Sequence, residues 1–197
     1  MTFSIPNIIS FSRIIISPIV YFMVISGNPL VVKLSCLLFL IGALTDFFDG
    51  WFARKFRLVT SLGTFFDPVA DKFLTTAAFA GFVHLNIIPL WMVLVIVIRD
   101  FVTTILRIYA DRHGHTIKTS MSAKYKTFLQ MVFIGFILIL IFMKNMIINP
   151  ELRTILDNLI YSRFTYYIMF LLTLITIWTA IEYLLQNKNI FKKRANE

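Results

Sequence analysis

Charged residues are scarce in this sequence. Only 15% of its 197 residues are charged, and its mean hydropathy is +0.82, whereas a soluble domain carries about 25% charged residues. So little polar surface excludes a water-soluble globule and predicts an integral membrane protein. Cysteine is scarcer still, because Cys36 stands alone, which excludes an internal disulfide. The N-terminus lacks the basic region and small-residue cleavage pattern of a signal peptide, so we expect the first apolar segment to be retained.

The apolar residues form continuous runs without alternation, which favours helices over the strands of a barrel. The runs approach the roughly 20 residues that a spanning helix needs. We therefore predict an all-α fold: a bundle of six transmembrane helices with a polar cavity facing the cytoplasm, a short N-terminal amphipathic element and one domain over residues 1–197. The six predicted segments are 8–25, 31–52, 62–85, 88–109, 128–148 and 166–185.

The net charge of +9 raises the question of an anionic partner. The basic residues cluster in the predicted loops after the second and fourth segments and at the C-terminus. This distribution indicates membrane topology and anionic lipid headgroups rather than nucleic acid. The bias also predicts that both termini, and the connection between the second and third segments, lie in the cytoplasm.

Four aspartates surround that connection. Asp46 and Asp49 are three residues apart, and Asp67 and Asp71 are four apart, so on helices each pair shares a face. Like charges at these spacings repel and lose hydration near a membrane. A divalent cation offsets both costs, since hard cations prefer carboxylate oxygens, and we predict a metal site at these four residues. Two alternatives are charge balance by nearby basic residues and helix capping, for which Asp67 before Pro68 has the pattern of an N-cap.

The full spacing reads Asp46-x-x-Asp49-Gly50-x-x-Ala53-Arg54, eight further residues, then Gly63-x-x-x-Asp67-x-x-x-Asp71. It resembles the signature of the CDP-alcohol phosphotransferase family. The resemblance implies a bundle of six membrane helices that forms a homodimer and binds a CDP-linked lipid. It also implies one or two Mg²⁺ or Mn²⁺ ions held by the four aspartates, with Asp71 also acting as general base. The CDP-lipid site that it implies comprises Asn7, Ser10, Arg13, Gly50, Ala53, Arg54, Thr60 and Gly63.

The N-terminal members of that set come from the run PNIISFSR, residues 6–13. Asn7, Ser10 and Arg13 recur every three residues and form one polar stripe on an apolar helix. The run resembles the family's PNxLTxxR element, with Ile9 and Ser10 in place of Leu and Thr, which implies contact with the nucleotide. The alternative is an amphipathic helix lying at the membrane interface.

A second resemblance concerns the acceptor. The run Ala123-Lys124-x-Lys126-Thr127-x-x-Gln130-Met131 resembles an element of the bacterial phosphatidylglycerophosphate synthases within that family, with Ala123 in place of glycine. Two lysines at a cytoplasmic mouth suit the phosphate of a small anionic acceptor, although they also satisfy the positive-inside rule. The predicted acceptor-phosphate residues are Lys118, Lys124, Lys126, Arg99 and Arg107.

Arg99 and Asp100 lie near the middle of the fourth segment, where ionisable side chains are costly and usually face a cavity. One interpretation is a cationic path from Arg99 and Arg107 toward the acceptor. The other is a structural pairing of Asp100 with an arginine from another helix.

The resemblances together imply an enzyme of a bacterial cell membrane. It would transfer a phosphatidyl group from CDP-diacylglycerol to glycerol 3-phosphate by metal-assisted direct attack, giving phosphatidylglycerol phosphate and CMP. One alternative is another acceptor: inositol phosphate, serine or phosphatidylglycerol. A more distant alternative is a divalent-cation transporter, which predicts carboxylates near the bilayer midplane and repeated halves.

Overall fold

The computed structural model describes the backbone of residues 5–56, 61–112 and 121–187. Within these ranges it describes the side chains of 11–45, 69–70, 72–108, 110 and 121–187. All regular secondary structure in the described ranges is helical, as predicted. The helices are α1 Ile5–Val24, α2 Pro29–Phe56, α3 Ser61–His84, α4 Leu90–Arg112, α5 Met121–Met146, α6 Pro150–Ile160 and α7 Arg163–Gln186.

The turn after α3 follows from the chemistry of asparagine. Asn86 adopts the left-handed conformation, with φ 57°, which asparagine tolerates better than most residues. The amide of Ile87 donates to the carbonyl of Phe82 at 2.9 Å, and the amide of Asn86 donates to that of Val83 at 2.9 Å. This pair of hydrogen bonds is a Schellman motif, and it ends α3 close to the boundary between the third and fourth predicted segments.

Helix α6 was not among the six predicted segments. The side chain of Asn149 accepts a hydrogen bond from the amide of Glu151 at 2.9 Å, and Pro150 occupies the first helical turn. Asparagine as cap and proline at the first position are strong helix starts. The Asn-Pro pair directly follows the predicted fifth segment, which ends at residue 148, and it begins this additional helix.

Two other predictions of element bounds differ from the structure. Helix α5 begins at Met121, seven residues before the predicted segment, because the lysine-bearing run 123–127 is helical. The polar stripe of residues 7–13 does not form a separate N-terminal element, since Ile5–Val24 is one helix.

Gly81 allows α3 to pack closely against α1. A Cβ atom added at Gly81 would lie 2.9 Å from Cγ1 of Val24, so α1 and α3 approach each other closely there. Val24 and the neighbouring Phe82 are fully buried in the core. Tyr21 and His84 are joined by a 3.4 Å hydrogen bond, which places the C-terminal ends of both helices together.

The outer surface of the bundle is apolar. Large hydrophobic side chains such as Phe22, Ile105 and Trp178 are at least 60% exposed, an arrangement suited to lipid rather than water. Within the described residues, two stretches are long and apolar enough to cross a membrane: Met121–Met146 and Pro150–Gln186, the latter comprising α6 and α7. These are features of a membrane protein.

The long helices alternate in direction, as the pairing of the C-terminal ends of α1 and α3 and of the start of α5 with the end of α7 indicates. The C-terminal end of α2 and the N-terminal end of α3 meet at one end of the bundle, here named the aspartate end. Ser122, at the start of α5, donates a hydrogen bond to Glu182, near the end of α7. These termini therefore lie together, at the aspartate end by the same alternation.

Candidate functional site

All four signature aspartates lie within helices. Asp46 and Asp49 are on α2, two to three turns before its end at Phe56, and Asp67 and Asp71 are within the first three turns of α3. Helical backbone at i,i+3 and i,i+4 spacing puts each pair on one helix face. The structure thus brings both pairs to adjoining helices at the aspartate end, while their side chains lie outside the described residues.

The capping interpretation of Asp67 is wrong. Helix α3 begins at Ser61, so Asp67 is its seventh residue and Pro68 lies inside it. Because proline has no amide hydrogen, it cannot donate to the carbonyl of Thr64. A proline in this place therefore reflects neither a helix start nor a cap, and capping explains none of the four acids.

The donor set fits a hard divalent cation. Four carboxylates on two adjoining helix ends offer the oxygen ligands that Mg²⁺ and Mn²⁺ prefer. Clusters of three or more His, Cys, Asp or Glu side chains are absent from the described side chains, a set that does not contain these four aspartates.

The predicted CDP-lipid residues are distributed over three helices. Gly50, Ala53 and Arg54 continue the aspartate face of α2, and Gly63 lies on the first turn of α3. Thr60 lies outside the described residues. On α1, Asn7 and Ser10 are helical, and Arg13 is buried, with the Ser17 hydroxyl donating to its carbonyl oxygen at 2.6 Å.

A buried ionic cluster joins three helices beside this region. We define it as Asp100 of α4 with Lys72 of α3, Arg99 of α4 and Lys126 of α5. Oδ1 of Asp100 lies 2.5 Å from Nζ of Lys126 and 3.1 Å from Nη1 of Arg99, and Oδ2 lies 3.9 Å from Nζ of Lys72. Arg99 also donates through Nη2 to the Thr179 hydroxyl of α7 at 3.0 Å.

The cluster carries more positive than negative charge. Asp100 is 5% exposed and Lys126 is fully buried, and removal of such groups from water costs several kcal/mol per ion unless they are paired. Arg99 and Lys126 together carry one more formal positive charge than Asp100. An arrangement of this kind suits an anion.

The acceptor residues predicted from the sequence fall into three groups. Arg99 and Lys126 belong to the buried ionic cluster, whereas Lys124 and Arg107 are exposed on α5 and α4. Lys118 lies outside the described residues. Asp100 is paired, as the structural interpretation expected, but its partners from other helices are lysines, Lys72 and Lys126, rather than an arginine.

Sequence reasoning missed Lys72 and Thr179 as members of the site. Lys72 carried a signal, because it directly follows Asp71 of the signature. Thr179 carried none, since a threonine in an apolar helix usually bonds its own backbone. It does so here as well, donating to the carbonyl of Thr176 at 2.9 Å while it accepts from Arg99.

An apolar groove of about 620 Å³ runs between α2 and α5. Its wall on α2 includes Cys36, Leu40 and Leu44, and its wall on α5 includes Gly135 and Leu138. The Cys36 thiol donates to the carbonyl of Leu138 at 3.4 Å, and nothing lies within 4 Å of a Cβ added at Gly135. The groove therefore has room beside Gly135 for an apolar ligand.

Comparison with known proteins identifies the class to which this arrangement belongs. Residues 3–182 match the model of the CDP-alcohol phosphatidyltransferase family. The match covers most of the sequence, and the chain belongs to this family.

The chain is also similar to individual proteins. The chain is 36% identical over 151 residues to the CDP-diacylglycerol--glycerol-3-phosphate 3-phosphatidyltransferase of Bacillus subtilis (strain 168), covering 70% of this chain and 77% of the relative. It is 30% identical over 191 residues to the Haemophilus influenzae protein of the same name, covering 93% of each. It is 33% identical over 132 residues to a probable phosphatidylglycerophosphate synthase of Mycobacterium tuberculosis (strain ATCC 25618 / H37Rv), covering 66% of this chain and 63% of that protein.

Proposed function

We propose that this chain transfers the phosphatidyl group of CDP-diacylglycerol to sn-glycerol 3-phosphate, giving phosphatidylglycerol phosphate and CMP. The observation that carries the proposal is similarity, at 30–38% identity, to relatives named for this reaction. The presence of both aspartate pairs on adjoining helices supports it.

The reaction requires an in-line displacement at the lipid phosphorus. A hydroxyl oxygen of glycerol 3-phosphate bonds to that phosphorus, the bond from phosphorus to the CMP oxygen breaks, and the hydroxyl proton passes to the carboxylate of Asp71. Asp46, Asp49 and Asp67, with Asp71, would hold one or two Mg²⁺ or Mn²⁺ ions, which would supply positive charge to neutralise the phosphate oxygens. The attack is direct, without a covalent enzyme intermediate.

The nucleotide half of the donor lies along α1, α2 and α3 in this proposal. Glycine and alanine on the aspartate face of α2 let a ligand approach the helix closely, and Arg54 adds a charge for phosphate. The proposed CDP-lipid residues are Asn7, Ser10, Arg13, Gly50, Ala53, Arg54, Thr60 and Gly63.

The phosphate of the acceptor binds at the buried ionic cluster. Arg99 and Lys126 supply one formal positive charge in excess of Asp100 for a phosphate monoester, and Lys72 connects the cluster to the α3 segment that carries Asp71. Lys118, Lys124 and Arg107 form the cationic approach to it.

The membrane arrangement follows from helix length and loop charge. Helices α1 to α5 and α7 span the bilayer as a single domain, whereas α6, at 11 residues, reaches only about 16 Å of the roughly 30 Å hydrocarbon core. The positive-inside bias supports a cytoplasmic location, in a bacterial cell, for the aspartate end, both termini and the proposed polar cavity. The protein acts as a homodimer.

The groove between α2 and α5 holds an acyl chain of CDP-diacylglycerol. Its volume lies within the range of roughly 300–1,000 Å³ that is typical of ligand pockets, and its lining is apolar. A tail seated there enters sideways from the bilayer, while the pyrophosphate reaches the aspartate end.

Replacement of Gly135 by phenylalanine is expected to raise the KM for long-chain CDP-diacylglycerol about tenfold, because loss of about two buried methylene contacts costs roughly 1.6 kcal/mol. A short-chain CDP-diacylglycerol, which leaves the groove partly empty, should keep its KM. Gly135→Ala is the matched control, since its Cβ meets no atom within 4 Å. An equal rise for both chain lengths would contradict the acyl-chain assignment.

One assay tests the proposed function directly. Purified protein is incubated with radiolabelled CDP-diacylglycerol, Mg²⁺ and each of glycerol 3-phosphate, inositol phosphate, serine and phosphatidylglycerol. We expect a labelled lipid product and equimolar CMP with glycerol 3-phosphate alone. Transfer to another of these acceptors instead would keep the family chemistry and overturn the proposed substrate.

A further inference from the structure

We propose that Asp100 is a positioning residue, which holds Lys126 and Arg99 where they bind the acceptor phosphate. The inference rests on the proposed function and goes beyond it, because Asp100 has no direct part in either substrate site. It concerns the only carboxylate of the buried ionic cluster, contacted by cations of three helices.

The position of Lys126 depends on Asp100. Its ammonium is fully buried and lies 2.5 Å from Oδ1 of Asp100, the one carboxylate paired with it among the described residues. An ammonium without a counterion is strongly disfavoured in such surroundings, and its long flexible stem can turn toward water. Asp100 thus keeps the Lys126 ammonium inside the bundle.

Arg99 is oriented in the same way. Its Nη1 donates to Asp100 at 3.1 Å and its Nη2 to the Thr179 hydroxyl at 3.0 Å. Two bonds in different directions define the plane of the guanidinium. Its Nε is buried without a hydrogen-bond partner among the described residues, so a donor remains that an anion can use.

Buried hydrogen-bond donors continue along α5. Gln130 lies one turn from Lys126 on the same helix face, is 3% exposed, and its Nε2 has no hydrogen-bond partner among the described residues. Buried donors are normally satisfied. An anionic or hydroxylated ligand bound beside Lys126 supplies hydrogen-bond acceptors for Nε2 of Gln130.

The charge balance distinguishes positioning from mere neutralisation. Neutralising one carboxylate requires one cation, yet Lys72, Arg99 and Lys126 all face Asp100. One carboxylate shared by Arg99 and Lys126 draws the two cations together while it leaves them one positive charge in excess. Because Lys72 directly follows Asp71 in α3, the same carboxylate also contacts the helix that carries the proposed base.

The test compares Asp100→Asn with wild type in steady-state kinetics on both substrates. We expect kcat/KM for glycerol 3-phosphate to fall about 10²-fold, as misplacement by about 1 Å commonly does, with the KM for CDP-diacylglycerol within about twofold. Asp100→Glu should restore part of the loss. Asp157→Asn is the matched control, because it removes a carboxylate paired with Lys144 between α5 and α6, away from the cluster, and should leave both constants unchanged.

A double-mutant cycle tests whether Asp100 acts through Lys126. In a Lys126→Met background, Asp100→Asn should cause a smaller further loss than it causes in wild type, since one of the two groups that it positions is already gone. Multiplying losses, or an equal rise in the KM of both substrates, would overturn the proposal. If Asp100→Asn does not accumulate in membranes, Asp100→Glu decides: a wild-type KM for glycerol 3-phosphate overturns the positioning role, and a raised KM at an unchanged unfolding temperature supports it.

The two proposals fail separately. If wild type transfers to glycerol 3-phosphate and Asp100→Asn does so equally well, only the positioning role is refuted. If wild type uses another acceptor, the acceptor panel refutes the proposed substrate before any variant is compared.

Discussion

Asp71→Asn is expected to abolish phosphatidyl transfer while leaving CDP-diacylglycerol binding largely intact. The amide keeps the size of the carboxylate but cannot take the proton of the attacking hydroxyl, and loss of a positioned base typically lowers the rate by about 10²–10⁴-fold. Three other aspartates remain to hold the donor. Turnover is measured with saturating glycerol 3-phosphate, and binding is measured by equilibrium retention of labelled CDP-diacylglycerol on the purified protein.

Two variants control this experiment. Asp46→Asn alters an acid proposed only as a ligand, and we expect it to weaken CDP-diacylglycerol binding as well as turnover. Asp157→Asn, on α6, should change neither. Loss of donor binding with residual turnover in Asp71→Asn would contradict its role as base and leave it a ligand only.

The helices were predictable because lipid selects for apolar residues along whole segments. Continuous apolar runs therefore located α1 to α4 and α7 to within four residues, and α5 to within seven. Helix α6 escaped because its 11 residues mix polar and apolar side chains. The Asn-Pro pair at its start is visible in the sequence. The same pair is also typical of the end of a preceding helix, so it does not by itself indicate a new one.

The shared helix face of each aspartate pair was predictable from spacing alone, since i,i+3 and i,i+4 relations are properties of a single helix. The burial of Lys126 was not. A lysine in the first turns of a helix at the membrane surface satisfies the positive-inside rule without entering the bundle. Its burial depends on Asp100, 26 residues earlier on another helix, and no local pattern contains that contact.

The proposed donor and acceptor sites are therefore coupled through helix α3. Its first three turns carry Asp67 and Asp71, and the next residue, Lys72, contacts Asp100. A change in the packing of α3 against α4 alters the distance between the proposed base and the acceptor cations. The proposed roles of Asp71 and Lys72 thus link helix packing to catalysis at adjacent residues.

Removal of divalent cations is expected to lower activity by about 10³-fold, because several kcal/mol of charge stabilisation on the phosphate oxygens is lost. Purified protein is treated with a chelator, passed into metal-free buffer and assayed before and after addition of Mg²⁺ or Mn²⁺. Either ion should restore the rate, whereas an equal ionic strength of K⁺ should not.

A second measurement separates a bound ion from an effect on the substrate. A ligand present at about 100 times its Kd stabilises the folded state by about 2.7 kcal/mol, so Mg²⁺ or Mn²⁺ should raise the unfolding temperature of wild type. The double variant Asp46→Asn/Asp49→Asn should lose that increase, while Asp157→Asn should keep it. Full activity in exhaustively metal-free buffer, or an equal shift in the double variant, would mean that the four carboxylates on α2 and α3 do not hold the ion, and their repulsion would then have to be offset by neighbouring cations such as Arg54 and Lys72.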